Sequence, residues 1–148
     1  MNDVYISIMI ESLQKKSVLL DELYMIDEEQ TRLLNSDTPD RQIVERNLSE
    51  SCKLANKIEG LDDGFETVYK KVRGELLNNS RAHKDQIVLL KELISEVTEK
   101  SVKIMAAECR NQETASEKFV FSTKKAQSTR YDSRDISGKY KKSMTRSF

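Results

Sequence analysis

Residues 54–72 read Leu54-Ala55-Asn56-Lys57-Ile58-Glu59-Gly60-Leu61-Asp62-Asp63-Gly64-Phe65-Glu66-Thr67-Val68-Tyr69-Lys70-Lys71-Val72. Leu54, Ile58, Leu61, Phe65, Val68 and Val72 follow one another at steps of four, three, four, three and four, which keeps all six on one stripe of an α-helix. The two-residue alternation of a strand would scatter them over both faces. Gly60 and Gly64 lie inside this stretch, although each costs a helix interior about 1 kcal/mol relative to alanine. Their four-residue spacing puts both on one flank of the stripe, so the expectation is close approach of a neighbouring helix, or a bend.

The same spacing recurs on either side. Ile87, Leu90, Ile94, Val97 and Ile104 repeat it with Ser101 as a gap, and Ile6, Ile10, Leu13, Leu20 and Tyr24 repeat it with Ser17 as a gap. Asn35-Ser36-Asp37-Thr38-Pro39-Asp40 combines turn formers with a proline where a helix start tolerates one, and Asp37 or Thr38 is a candidate cap. Asn78-Asn79-Ser80 makes the softer second break, because these side chains compete with the helical backbone. Helices over 2–34, 39–77 and 84–121, each roughly 50–60 Å long at the α-helical rise, are thus predicted. Short connections make consecutive helices antiparallel. The expected fold is all-α: an elongated, coiled-coil-like antiparallel three-helix bundle over residues 1–121, with a basic tail at 122–148.

Composition agrees. The 148 residues include one proline, four glycines and 34% charged residues, too little punctuation for a sandwich or barrel and enough charge for long solvated helices. No apolar run approaches the roughly 18 residues of a membrane span, and the first residues lack a basic n-region, so a cytoplasmic protein is expected. Catalysis finds no support. The lone His83, in Arg81-Ala82-His83-Lys84, reads as a solvated turn residue, and no nucleophile elbow, phosphate loop or paired-histidine motif occurs. Cys52, His83 and Cys109 lack the close spacings of a zinc site, so neither a metal nor a cofactor is expected. Folding the hairpin about residue 80 sets Cys52 and Cys109 level, where they read as buried, reduced thiols.

Two regions point to protein binding. Near Pro39 the first helix is strongly apolar at Leu19, Leu20, Leu23, Tyr24, Met25, Ile26, Leu33 and Leu34, whereas its neighbours offer only Ile43, Val44 and Leu48 on the second helix and Glu108, Asn111, Ala115 and Lys118 on the third. Either Phe119, Val120 and Phe121 cover this end, or it is a groove for a partner helix. Residues 122–148 carry eight basic and two acidic residues, a net of +6, so the neutral chain divides into a body at −6 and this tail. The tail has too few large hydrophobes for a core of its own, yet Ile136, Tyr140, Met144 and Phe148 recur every fourth residue, as on one face of a helix. It can fold back on the acidic body, bind a partner protein, or touch nucleic acid or an anionic membrane. Interleaved Asp132 and Asp135 weigh against the last option.

The stretch Leu19-Leu20-Asp21-Glu22-Leu23-Tyr24-Met25-Ile26-Asp27-Glu28-Glu29-Gln30, ahead of a short polar turn and two further amphipathic helices, resembles the FlgN-type flagellar export chaperones and, more loosely, the FliT type. The resemblance covers about residues 5–121. It implies a cytoplasmic, non-enzymatic chaperone for hook-filament junction proteins that captures an amphipathic terminal segment and delivers it to the type III export gate. It also places Tyr131, Ile136, Tyr140 and Met144 where family members make client or export-gate contacts, although so basic a tail departs from the family. On this reading Leu19, Leu23, Tyr24 and Ile26 supply part of a client groove, and Phe119, Phe121 and the tail complete or gate it. The alternative is a non-flagellar coiled-coil adaptor or scaffold acting through helix-helix association.

Overall fold

The computed structural model of the chain describes residues 2–119. Three helices account for almost all of them: α1 (Asn2–Leu34), α2 (Arg41–Asn78) and α3 (Lys84–Lys118). Helix α2 starts two residues later than the proline suggested, because Asp40, not Asp37 or Thr38, is its cap. The Asp40 carboxylate accepts from the Gln42 and Ile43 amides at 2.9 and 3.4 Å, satisfying two donors of the first turn. Helix α3 runs unbroken through Asn111 and ends at Lys118, where Phe119 turns extended, rather than at 121. Among the described residues no helix is long and apolar enough to cross a membrane.

Helix α1 is the hub: the close backbone approaches are those of α1 to α2 and of α1 to α3. The core follows the 3.5-residue repeat through Ile6, Met9, Leu13, Leu20 and Leu23 on α1, Ile58, Phe65, Val72 and Leu76 on α2, and Leu90, Ile94, Val97 and Ile104 on α3. On α2 the inward line differs from the expected stripe. Ile58, Phe65 and Val72 are buried, but Ala55, Asp62 and Tyr69 alternate with them, while Leu54, Leu61 and Val68 stand half-buried on the flank. Both sets satisfy the four-three spacing, and the choice between them rests on an ion pair that hydrophobic periodicity does not register.

That pair joins Lys16 and Asp62, which are 0% and 3% exposed and 2.8 Å apart. Burial pushes the Lys16 ammonium below its ordinary pKa, and the Asp62 carboxylate opposes the shift. Beside it, Lys100 of α3 donates to Ser17 Oγ at 2.7 Å and to Asp21 Oδ2 at 3.0 Å, so residue 62 of α2 and residue 100 of α3 stand at one level of α1. A second polar layer lies toward Pro39. Asn111 donates to the Asp27 carbonyl at 2.8 Å and accepts from Thr31 at 2.6 Å. Gln30 donates to Asn47 at 2.9 Å, and Asn47 donates to the Ile26 carbonyl at 3.2 Å. Beyond it, Leu34, Val44 and Ala115 form a small separate cluster.

The second turn departs from expectation at His83, which is 7% exposed and occupies the N-cap position of α3 without a side-chain capping bond. Its Nε2 lies 3.1 Å from Glu75 Oε1, which also accepts from Asn79 Nδ2 at 3.1 Å. Glu75 thereby clips both sides of a turn built without any positive-φ residue. The His83 and then the Asn79 hydrogen bonds hold the Glu75 carboxyl below its ordinary 4.5.

Two outcomes follow from these contacts. Replacing only one member, as in Lys16→Met or Asp62→Leu, leaves a buried charge and should cost about 3–5 kcal/mol in urea unfolding, whereas the double variant should recover most of that loss. A folded-state pKa below the unfolded one means that the Glu75 clip stabilises above pH 4.5 and is lost as the pH falls through the lowered value. Amide exchange at residues 79–83 should therefore accelerate on acidification relative to the helix interiors, and Glu75→Gln should abolish that extra dependence.

Candidate protein-binding groove

Each long helix presents an inward line and two flanks, and the flanks decide which residues meet. On α1, Leu19 and Ile26 are seven apart and face α2, Leu23 points inward at 1% exposure, and Tyr24 lies on the α3 side. The four residues expected to line one groove are therefore divided among three places, because successive helical positions turn by about 100°. Lys103 Nζ lies 4.3 Å from the centre of the Tyr24 ring, which covers that half-buried aromatic on the α3 side. Phe119 packs on the Leu34, Val44 and Ala115 cluster and helps close the Pro39 end. Phe121, Tyr131, Ile136, Tyr140 and Met144, together with the rest of the basic tail, lie outside the described residues.

Leu19 and Ile26 belong to a continuous furrow along the outer α1/α2 seam. It consists of two adjoining concavities of about 500 and 450 Å³ that share Lys57. Val18, Leu19 and Leu61 floor the first, and Met25, Ile26 and Leu54 floor the second. Val18 and Met25 are 58% and 69% exposed, so this apolar surface faces solvent. Charged groups rim it: Lys15 and Glu22 on α1, and Glu50, Lys53 and Lys57 on α2. Residues 15–26 amount to about three helical turns, roughly 17 Å, the length over which an amphipathic helix presents i, i+3, i+4 and i+7 anchors.

Val18, Met25 and Leu61 carry this furrow, and the grouping of Leu19, Leu23, Tyr24 and Ile26 left Val18 out. A signal for it exists: positions 4, 11, 18 and 25 are Val, Glu, Val and Met, a second seven-residue stripe on the side of α1 away from the core. The glycines also correct an expectation. A Cβ at Gly60 or Gly64 would find nothing within 4 Å, so neither admits a neighbouring helix of this chain, and α2 runs through both without interruption. Gly60 instead lines the furrow beside Val18 and Leu61.

The remaining candidates form no chemical centre. Cys52 is half-buried and Cys109 exposed, with no disulfide between them, so the full burial expected of both does not hold. Among the described residues no group of three or more His, Cys, Asp or Glu side chains could hold a metal ion. The arrangement offers shape, apolar area and rim charge: it suits a docked helix.

Because both glycines have open space, Gly60→Ala and Gly64→Ala should each stabilise the fold, by up to about 1 kcal/mol, raising the urea midpoint without changing the helical circular dichroism. Compared with models of protein families, with curated proteins and with solved structures, the chain matches none.

Proposed function

We propose that the protein is an export chaperone that shields an amphipathic terminal helix of a client, with flagellar hook-filament junction proteins as the client class and the type III export gate as the destination. The α1/α2 furrow carries the binding part of this reading: exposed Val18 and Met25 and half-buried Leu19, Ile26, Leu54 and Leu61 line it along about three helical turns, with charges on both edges. The client class rests on the resemblance of residues 19–30 to FlgN-type chaperones. Capture by such a furrow needs no chemistry. The client helix buries its apolar face against Val18, Leu19, Met25, Ile26, Leu54 and Leu61, so that face is withheld from premature assembly, and rim contacts with Lys57 and Glu22 set its direction.

The test uses a labelled peptide spanning the terminal helix of a hook-filament junction protein, titrated with the full chain. Val18→Asp with Met25→Asp places charge on exposed furrow positions and spares the core, so helical circular dichroism should persist while affinity falls roughly tenfold or more. Equal affinity for a scrambled peptide of the same composition would overturn the reading. So would wild-type affinity in the double variant.

A further inference from the structure

We infer that residues 122–148 dock as a fourth helix on the α2/α3 flank, antiparallel to α3 and on the side of α2 away from the furrow. The two flanks of α2 differ in charge. The furrow rim is mixed, with Lys15, Lys53 and Lys57 against Glu22 and Glu50. The opposite flank of α2 presents Cys52, Asn56, Glu59, Asp63 and Glu66. Lys100 and Lys103 turn toward α1, so the other side of α3, with Ser95, Thr98, Val102, Met105, Cys109 and Glu113, faces this flank.

The contacts of Lys16 with Asp62 and of Ser17 with Lys100 fix levels along the bundle: Glu59 stands level with Val102, Asp63 with Thr98 and Cys52 with Cys109. Through this stretch the flank holds Glu59, Asp63, Glu66 and Glu113, with Glu99 at its edge, and no lysine or arginine. Among the described residues, the carboxylates of Glu59, Asp63, Glu99 and Glu113 meet no hydrogen-bond or ion-pair partner. Between them lies an apolar line, of which Val102 is 51% exposed and Met105 half-buried.

The chain that leaves α3 at Phe119 carries what this flank lacks. Residues 122–148 hold eight basic and two acidic groups, and at the helical rise they reach roughly 40 Å back along α3. With a connection of about four residues, Ile136 and Tyr140 return to the level of Met105 and Val102. Lys139 and Lys141, on either side of that pair, come level with Glu59, Asp63 and Glu99, and Lys124 and Lys125 come within a turn of Glu113. Asp132 and Asp135 fall beside Cys52, Asn56 and Cys109, where half-buried Glu108 is the one charged group of the flank. The chain ends at Phe148, level with Tyr69, where Lys70, Arg73 and Lys91 turn the flank basic. A tail docked here leaves Val18 and Met25 open, so it does not gate the furrow, and its placement does not depend on the proposed function.

Nuclear magnetic resonance of the full chain reads the position. A nitroxide on Cys109, with Cys52→Ala, should quench most of the Tyr131 amide signal. The same label at Met25→Cys, in a chain whose native cysteines are replaced by alanine, should leave that signal in place. Glu59→Lys with Asp63→Lys should restore the signal under the Cys109 label, as should Lys139→Glu with Lys141→Glu, and all four changes together should quench it again. Raised salt should also restore it. Glu59 and Asp63 are exposed, so these variants should keep the helical circular dichroism of the body. A Tyr131 signal untouched by the Cys109 label overturns the inference, and so does quenching from Met25→Cys, which would place the tail on the furrow. Quenching indifferent to the charge reversals, or not recovered in the fourfold variant, overturns it as well. Quenching that vanishes when labelled chain is diluted into unlabelled chain would assign the tail to a second copy and equally overturn it. Failure of the client peptide to bind, with this pattern intact, would instead overturn the proposed function and leave the docked tail standing.

Discussion

The bundle depends on a lysine that has no route to water. Lys16 sits at the inward position of the hub helix, and its charge is tolerable only while Asp62 of α2 lies against it. Such a pair adds little net stability, since desolvation of two ions offsets most of their attraction, but separating the partners is expensive. It therefore acts as an alignment constraint. A slip of α2 by one heptad would leave the apolar seam nearly as well filled but would set Lys16 against Ala55 or Tyr69. Asn47, Gln30 and Asn111 enforce the same alignment farther along, because their amides find partners only at this register.

Much of this was legible in the residues, and what was not has an identifiable physical origin. Helix type and number followed from four-three spacing, and Pro39 located the first break to within two residues. Inward direction on α2 was misread because Leu54, Leu61 and Val68 obey that spacing as well as Ala55, Asp62 and Tyr69 do. Hydrophobicity favours the leucines, while the structure uses them to flank α1. A reading by charge would have noticed that Lys16 falls on the apolar line of α1 and needs an acidic partner. His83 was misjudged for a related reason: a histidine beside a turn reads as solvated unless the carboxylate eight residues earlier is brought back against it, as Glu75 is.

The furrow shows the limit of grouping residues by proximity in sequence. Leu19, Leu23, Tyr24 and Ile26 are neighbours along the chain but occupy three directions around the helix, and only the first and last share a surface. Position within the seven-residue repeat, not adjacency, sorts them. The same criterion brings forward Val18 and Met25, whose exposure is the unusual feature of a helix that has already satisfied two neighbours. Gly60 and Gly64 belong with them: their cost to α2 is not repaid by packing inside the chain.

The hub arrangement also orders events in time. Helix α2 can dock on α1 as soon as a short turn closes, but the Asn111 amide must cross 84 positions of sequence to reach the Asp27 carbonyl. Loop closure over such a separation makes that contact a late step of folding. The α1/α2 contacts Gln30–Asn47 and Lys16–Asp62 span only 17 and 46 positions, so loop closure favours this hairpin, with the furrow on its outer seam, over the docking of α3. The contact of Lys100 with Ser17 spans 83 positions, nearly the separation of Asn111 from Asp27, so loop closure makes α3 as a whole the last helix to dock on α1.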